Sequence, residues 1–233
     1  MLTINKYLTS TQIKLIALAL MVLDHIYEFF SYTGSVPIWF TMLGRLSLPL
    51  FIFCAVEGFY HTRDRKKYML RLFVFYLIME VSRYLLMFTL PRPDNFFIQN
   101  NIFGTMLITV LAIYCIDRIK AYKRDTRHLF LYSIILMTIL PLAPLVEGGW
   151  FYVFLGIVLY YTRQNRLAQA IEFIVVCLAV WATDNSFQWM MTFAVLIIML
   201  YNGEKGKGYK YLFYIFYPVH IWLLYILSVI FYT

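Results

Sequence analysis

Asp24 and His25 stand in the apolar run 13–30, IKLIALALMVLDHIYEFF, with Glu28 one helical turn further on. An imidazole beside carboxylates is a proton-moving set: imidazole titrates near neutral pH and serves as a general base, and a carboxylate can set its tautomer. The run has the length of a membrane-spanning helix, which needs about 20 mostly apolar residues. A charge near the bilayer centre costs roughly 2.5–3.5 kcal/mol on insertion scales, so such residues face a bundle interior or a water-filled cavity and mark a site. Residues three or four apart share a helix face, which aligns Asp24 with Glu28 and also brings His25 near Glu28. Adjacent Asp24 and His25 point about 100° apart, so one of them faces a different helix.

Other ionisable residues fall in apolar runs as well: Arg45 and Glu57 in the second, Glu80 and Arg83 in the third, and His220 in the last. His25 lies about 18 Å along its helix at 1.5 Å per residue, and Arg45 reaches a similar level from the other side. A pairing of Arg45 with Asp24 or Glu28 would cancel charge there, as part of a site or as a buried ion pair that fixes helix register. Glu80 and Arg83, three apart, neutralise each other locally and read as structural. Glu57 and His61, four apart, lead into HTRDRKKYMLR, whose Arg63, Lys66, Lys67 and Arg71 either set topology alone or form a phosphate-binding rim for a nucleotide-like ligand. His220 follows Pro218, which removes a backbone donor and predicts a kink beside the histidine. A cavity-shaping role and a hydrogen-bonded core histidine both fit. No HxxxH or HxxE cluster is present, and His25 with Glu28 gives too few ligands, so no metal is expected.

These residues are carried by an unusually apolar chain of 233 residues, 62% hydrophobic and 14% charged, against about 25% charged in soluble domains. The fold class is all-α, a polytopic transmembrane bundle of about nine spans forming a single unit over 1–233. The stretches are about 12–31, 38–60, 70–90, 100–117, 128–143, 149–162, 167–183, 188–201 and 211–231, with those around 149–201 short enough to tilt, re-enter or merge. With the N-terminus cytoplasmic, 17 of the 20 Lys and Arg residues fall in inside segments, from Lys6 and Lys14 to Lys205, Lys207 and Lys210. Every second loop is basic, as the positive-inside rule requires, so the net charge of +8 reflects topology and not nucleic-acid binding. The first run is read as a retained span, not a cleaved signal. Cys54, Cys115 and Cys177 lie within apolar runs and form no disulfide framework. The outer loops SYTGSVPIW, PRPDNFFIQNN, APLVEGGW and TDNSFQ are rich in aromatics, and Trp39, Trp150 and Trp189 are candidate interfacial anchors. NGEKGKGYK reads as a connector and lacks the order of a P-loop.

The strings IKLIALALMVLDHI, LGRLSLPLFIFCAVEGFYHTRDRKKYMLRL and KYLFYIFYPVHIWLLY resemble the TraX family of membrane acetyltransferases, whose namesake acetylates a pilin N-terminus. The resemblance runs along almost the whole chain, most loosely over about 120–200. It implies a protein of the bacterial plasma membrane that passes an acetyl group from cytoplasmic acetyl-CoA to an acceptor on the other side. It also implies that His25 is the catalytic candidate with Asp24 as motif partner, and that Arg45, Glu57, His61, Arg63, Arg71 and His220 match further motif positions. Combined with the residue chemistry, the expected site is His25 as base, Asp24 or Glu28 setting its tautomer, and Arg45 balancing charge. Acetyl-CoA would be held by Glu57, His61, Arg63, Lys66, Lys67, Arg71 and His220. The acceptor is a pilin or peptide N-terminus or a surface glycan. A proton-coupled transporter is the competing class, because Asp, Glu and His also build proton relays, although no internal repeats are evident. A scaffold whose charges only pair helices is the third.

Overall fold

The computed structural model describes residues 7–94, 96–99, 101–183 and 187–232. Lys6 and part of TDNSFQ, and the side chain of Lys210, lie outside that description. The described residues form helices α1 (Ser10–Phe30), α2 (Trp39–Gly44), α3 (Ser47–His61), α4 (Arg65–Thr89), α5 (Ile102–Ala121), α6 (Thr126–Ile139), α7 (Gly149–Tyr161), α8 (Arg166–Thr183), α9 (Ala194–Met199) and α10 (Lys210–Tyr232). Short 3₁₀ turns extend several of them, and the β pairing among the described residues is an isolated parallel bridge, Leu8 with Tyr201.

Every expected apolar stretch is helical. Among the described residues, five helical segments are long and apolar enough to cross a membrane: Trp39–His61, Arg65–Thr89, Ile102–Ala121, Thr126–Leu145 and Tyr211–Tyr232. The stretches at 149–162 and 188–201, which the sequence analysis counts among about nine spans, become the shorter apolar helices Gly149–Tyr161 and Phe187–Met199. A 13-residue helix such as α7 rises about 20 Å, short of the roughly 30 Å hydrocarbon core.

Helix α5 is the centre of the bundle, buried along most of its length from Ile102 to Cys115. Helices α4 and α6 lie at the periphery, where α4 buries only Leu72 and Met79, and α6 buries no residue. Their outer faces present Phe73, Leu77, Val81, Leu85, Phe130 and Met137, side chains suited to lipid. The peripheral and central helices are tied by polar contacts: Trp222 Nε1 donates to Ser82 Oγ at 2.9 Å, and Arg65 pairs with Asp117 at 2.8 Å while donating to Tyr160 at 3.0 Å. The three cysteines are buried and free. Trp39, Trp150 and Trp189 are exposed, as anchors would be.

Two joints place the site. Between α2 and α3 the chain breaks at Arg45, and Pro49 in the first turn of α3 needs no helical donor. Gly44 at that break faces α1, where a Cβ would come within 2.2 Å of the Asp24 Cβ, so only glycine permits this approach. The second joint is a strap, residues 202–208, laid over the start of α1. Ser10 N–H donates to Glu204 O at 2.8 Å, Thr11 N–H to Lys205 O at 3.1 Å, and Thr11 Oγ1 to Lys205 O and Lys207 O at 2.8 and 2.6 Å. The strap thus supplies the acceptors that a helix start lacks, alongside a Thr9–Gln12 capping box.

At the opposite end Arg92 closes the bundle. Its guanidinium donates to Phe29 O at 3.0 Å and Ser228 Oγ at 3.2 Å, joining the ends of α1 and α10. It pairs with Asp94 at 2.6 Å and lies against the rings of Tyr32, Phe96 and Tyr232, 4.4–5.1 Å from their centroids.

Candidate functional site

His25 and His220, 195 residues apart in sequence, meet in the middle of the bundle with Nδ1 of His25 2.7 Å from Nε2 of His220. They are 3% and 6% exposed. Pro218 lies inside helix α10, and His220 Nδ1 lies 2.8 Å from Phe216 O on the preceding turn. These two contacts fix the proton positions. A carbonyl only accepts, so His220 Nδ1 carries hydrogen and its Nε2 is the acceptor. His25 must then donate from Nδ1, which leaves Nε2 of His25 as its basic nitrogen.

Two carboxylates on its own helix, Asp24 and Glu28, are the expected partners of His25, and Glu28 borders the third cavity. Asp24 instead points, as helix geometry demands, to the other side, where its Oδ1 is 3.8 Å from Arg45 Nη2. Arg45 also donates to Thr41 Oγ1 at 2.8 Å. His220, expected among the cofactor residues, thus hydrogen-bonds His25, and Asp24 lies beside Arg45.

Three cavities follow one another through the bundle. The first, about 230 Å³, lies under the strap at the basic end. Lys14, His61, Arg71, Lys205 and Lys207 border it, with apolar walls from Leu18, Met21, Phe51, Met106 and Phe216. The second, about 320 Å³, is lined by Asp24, His25, Arg45 and Glu147. The third, about 870 Å³, lies towards the other end and is lined by Tyr27, Glu28, Arg83 and Gln99 among others. Met21, Ile102 and Tyr217 are shared by the first and second, and Asp24, Arg45, Glu147 and Gly148 by the second and third.

Of the expected rim, Glu57, His61 and Arg71 border the first cavity. Arg63, Lys66 and Lys67 do not, and Lys67 pairs with Asp64 at 3.3 Å on the surface. The inward face of α4 is that of Tyr68, Arg71 and Leu72, a helical i, i+3, i+4 set. Lys14 and the strap lysines take the place of the missing cations. Glu57 is 2% exposed. Its oxygens lie 3.6 Å from both His61 and Arg163, and they lack a hydrogen-bond partner among the described residues, as does the buried Nε of Arg71. Buried polar atoms without partners are costly, which suits a wall completed by a ligand. Glu80 and Arg83 form the expected local pair, with Asn101 Nδ2 donating to Glu80 at 2.7 Å. No group of three or more potential metal ligands gathers among the described residues.

Glu147 is absent from the sequence reading. It lies between the 3₁₀ turn Leu140–Leu145 and α7, half-buried. Tyr217 Oη accepts from Ile102 N–H at 3.1 Å and donates to Glu147 Oε2 at 3.2 Å. Its ring centroid is 6.2 Å from that of His25. Burial, and then the charge of Glu28, push the Glu147 carboxyl up to about 7. The sequence signal is a lone acid before Gly148 and Gly149 in an otherwise uncharged loop.

A family model described as TraX protein matches residues 9–228. A relative described as "Probable fimbrial assembly protein FimC, serogroup H1" of Dichelobacter nodosus is 33% identical over 238 residues, covering 91% of this chain and 93% of its own. No solved structure matches the chain. The apolar helices and these likenesses together make it a multi-pass membrane protein.

Proposed function

Because the chain belongs to the TraX family, we propose that it is a membrane acyltransferase that carries an acetyl group from acetyl-CoA at its basic end to an acceptor arriving from the opposite end. The observation that carries this reading is the succession of cavities sharing walls, with His25 on the middle one. From Thr11 under the strap to His25 is 14 residues of α1, about 21 Å at 1.5 Å per residue. That length needs a donor with a long arm, and a CoA thioester has one.

The residues present fit such a donor. Lys14, His61, Arg71, Lys205 and Lys207 provide cations for phosphates. Glu57, buried beside His61 and Arg163 on the cavity wall, offers an acceptor to amide or amino groups. The apolar throat suits the arm and excludes water. By the excess of Lys and Arg, this end faces the cytoplasm. His25 takes a proton from the attacking acceptor through Nε2, with its orientation set by His220. Arg45, held by Asp24, lies in the same cavity and balances the charge that develops on the carbonyl oxygen. A pilin-like or other peptide amine, or a glycan hydroxyl, enters by the third cavity, in keeping with a relative named for fimbrial assembly.

Purified protein in vesicles should release CoA from acetyl-CoA only when an acceptor is supplied on the side opposite the donor. Solute or proton flux without acetyl-CoA would instead support the transporter. In calorimetry, Arg71→Ala combined with Lys207→Ala should weaken CoA binding by about tenfold or more, since charge-assisted bonds contribute about 1.5–3 kcal/mol each. Unchanged affinity would remove the rim from the site.

His220→Phe keeps the ring and removes the acceptor for His25 Nδ1–H. Turnover should fall by at least about tenfold, because the wrong His25 tautomer becomes accessible, with CoA affinity preserved. Turnover equal to wild type would show that His220 does not position His25.

A further inference from the structure

The middle cavity holds a second group able to accept a proton, and one acceptor class needs two. A hydroxyl acceptor loses a single proton on acylation, for which His25 suffices. A primary amine with an α-amino pKa of about 7.7–8.0 arrives at neutral pH mostly as ammonium and must lose two. We propose that Glu147 binds the acceptor as a cation and takes its first proton, leaving the second to His25. This rests on the acyl-transfer reading and assigns Glu147 a part in it when the acceptor is an amine.

The placement of Glu147 carries the assignment. It lines both the His25 cavity and the outer one through which the acceptor comes. Its carboxylate is aimed by Tyr217, whose acceptor lone pair is occupied by Ile102 N–H so that its own proton serves Glu147. The same Tyr217 ring lies roughly perpendicular to that of His25, centroids 6.2 Å apart, so one side chain touches both acid and imidazole. Gly148 holds the backbone behind the carboxylate at φ +77°, where a Cβ would also lie 2.3 Å from the Tyr152 ring. Asp24 and Glu28 on α1 add negative charge around the cavity, and Arg45 offsets Asp24. An acid raised towards neutrality is matched to taking up and releasing a proton at working pH.

The step balances. Glu147 carboxylate takes one proton from R–NH3⁺ and leaves R–NH2. The amine nitrogen bonds to the thioester carbonyl carbon and the carbon–sulfur bond breaks. His25 Nε2 takes the second proton and delivers it to the departing thiolate. Glu147 then returns its proton to the outer cavity. Ammonium and thioester become amide, thiol and one proton.

The test compares two probes on the full-length protein: a short peptide with a free α-amine, and the same peptide with that amine blocked and a C-terminal hydrazide, neutral at pH 7, as its nucleophile. Glu147→Gln should lower CoA release with the amine by about 10²-fold, the low end of a positioned proton-transfer group. The hydrazide rate should be nearly unchanged, which also shows that the variant folds. Glu147→Asp should restore part of the amine rate. Equal losses on both probes would overturn the role of Glu147 and leave acyl transfer standing. Wild-type transfer to glycan hydroxyls and not to peptide amines would do the same. Absence of CoA release by wild type with every acceptor would overturn both readings.

Discussion

Replacing His25 with Ala is expected to lower acetyl transfer by about 10²- to 10⁴-fold, the range that a positioned general base contributes. The loss should appear in turnover and not in donor binding. The first cavity, with Lys14, His61, Arg71 and the strap lysines, does not include His25 among its walls. Single-turnover measurements of CoA release, paired with calorimetric CoA affinity, separate the two. His25→Ala also removes the hydrogen bond to His220, so preserved CoA binding doubles as a check that the bundle is intact. Transfer at the wild-type rate would eliminate His25 as the base and with it the mechanism.

The second large effect is on stability. Arg92→Ala should destabilise the protein by about 3–5 kcal/mol, the cost of breaking a buried charge pair by removing one partner. The lower figure is favoured because Asp94 keeps part of its side chain in solvent. Arg92 is 4% exposed and is the shared donor for Phe29 O, Ser228 Oγ and Asp94, with aromatic rings around it. Its loss leaves a buried backbone carbonyl at the end of α1 without its donor and frees the end of α10. Arg92→Lys keeps the charge but not the fork, so it should recover only part of the loss. Denaturant unfolding in micelles measures this, and a change within about 0.5 kcal/mol, the spread of ordinary surface substitutions, would contradict the account.

The sequence made the apolar segments legible because hydrocarbon demands length and low charge, and both are local properties. The Asp24–His25 anomaly was legible for the same reason, as was the divergence of the two side chains. The rotation of one helix about its axis relative to another is not local. His220 could be placed on a helix but not opposite His25, since the two are 195 residues apart and no periodicity links them. Arg63, Lys66 and Lys67 looked equivalent to Arg71 in a dense basic string, yet only the face of Tyr68, Arg71 and Leu72 turns inward. In sequence the strap reads as a connector, because its function depends on what it lies across: its carbonyls meet the N–H groups at the start of α1, and its lysines border the cavity. An acid in a loop, as Glu147 is, carries no energetic flag in sequence until the loop is folded against the bundle.

The histidine pair ends on the carbonyl of Phe216, and a backbone carbonyl does not carry protons onward. The pair is a cul-de-sac, not a wire. A proton-driven transporter needs a chain of groups that passes protons from one face to the other, and this arrangement does not provide one through α10. Under the proposed transfer, the proton that His25 gains leaves with the thiol product. Each turnover then exchanges an acetyl group moving one way for a proton moving the other, with no net charge displaced. Such a catalyst is electrically silent, and a membrane voltage neither drives it nor leaks through it.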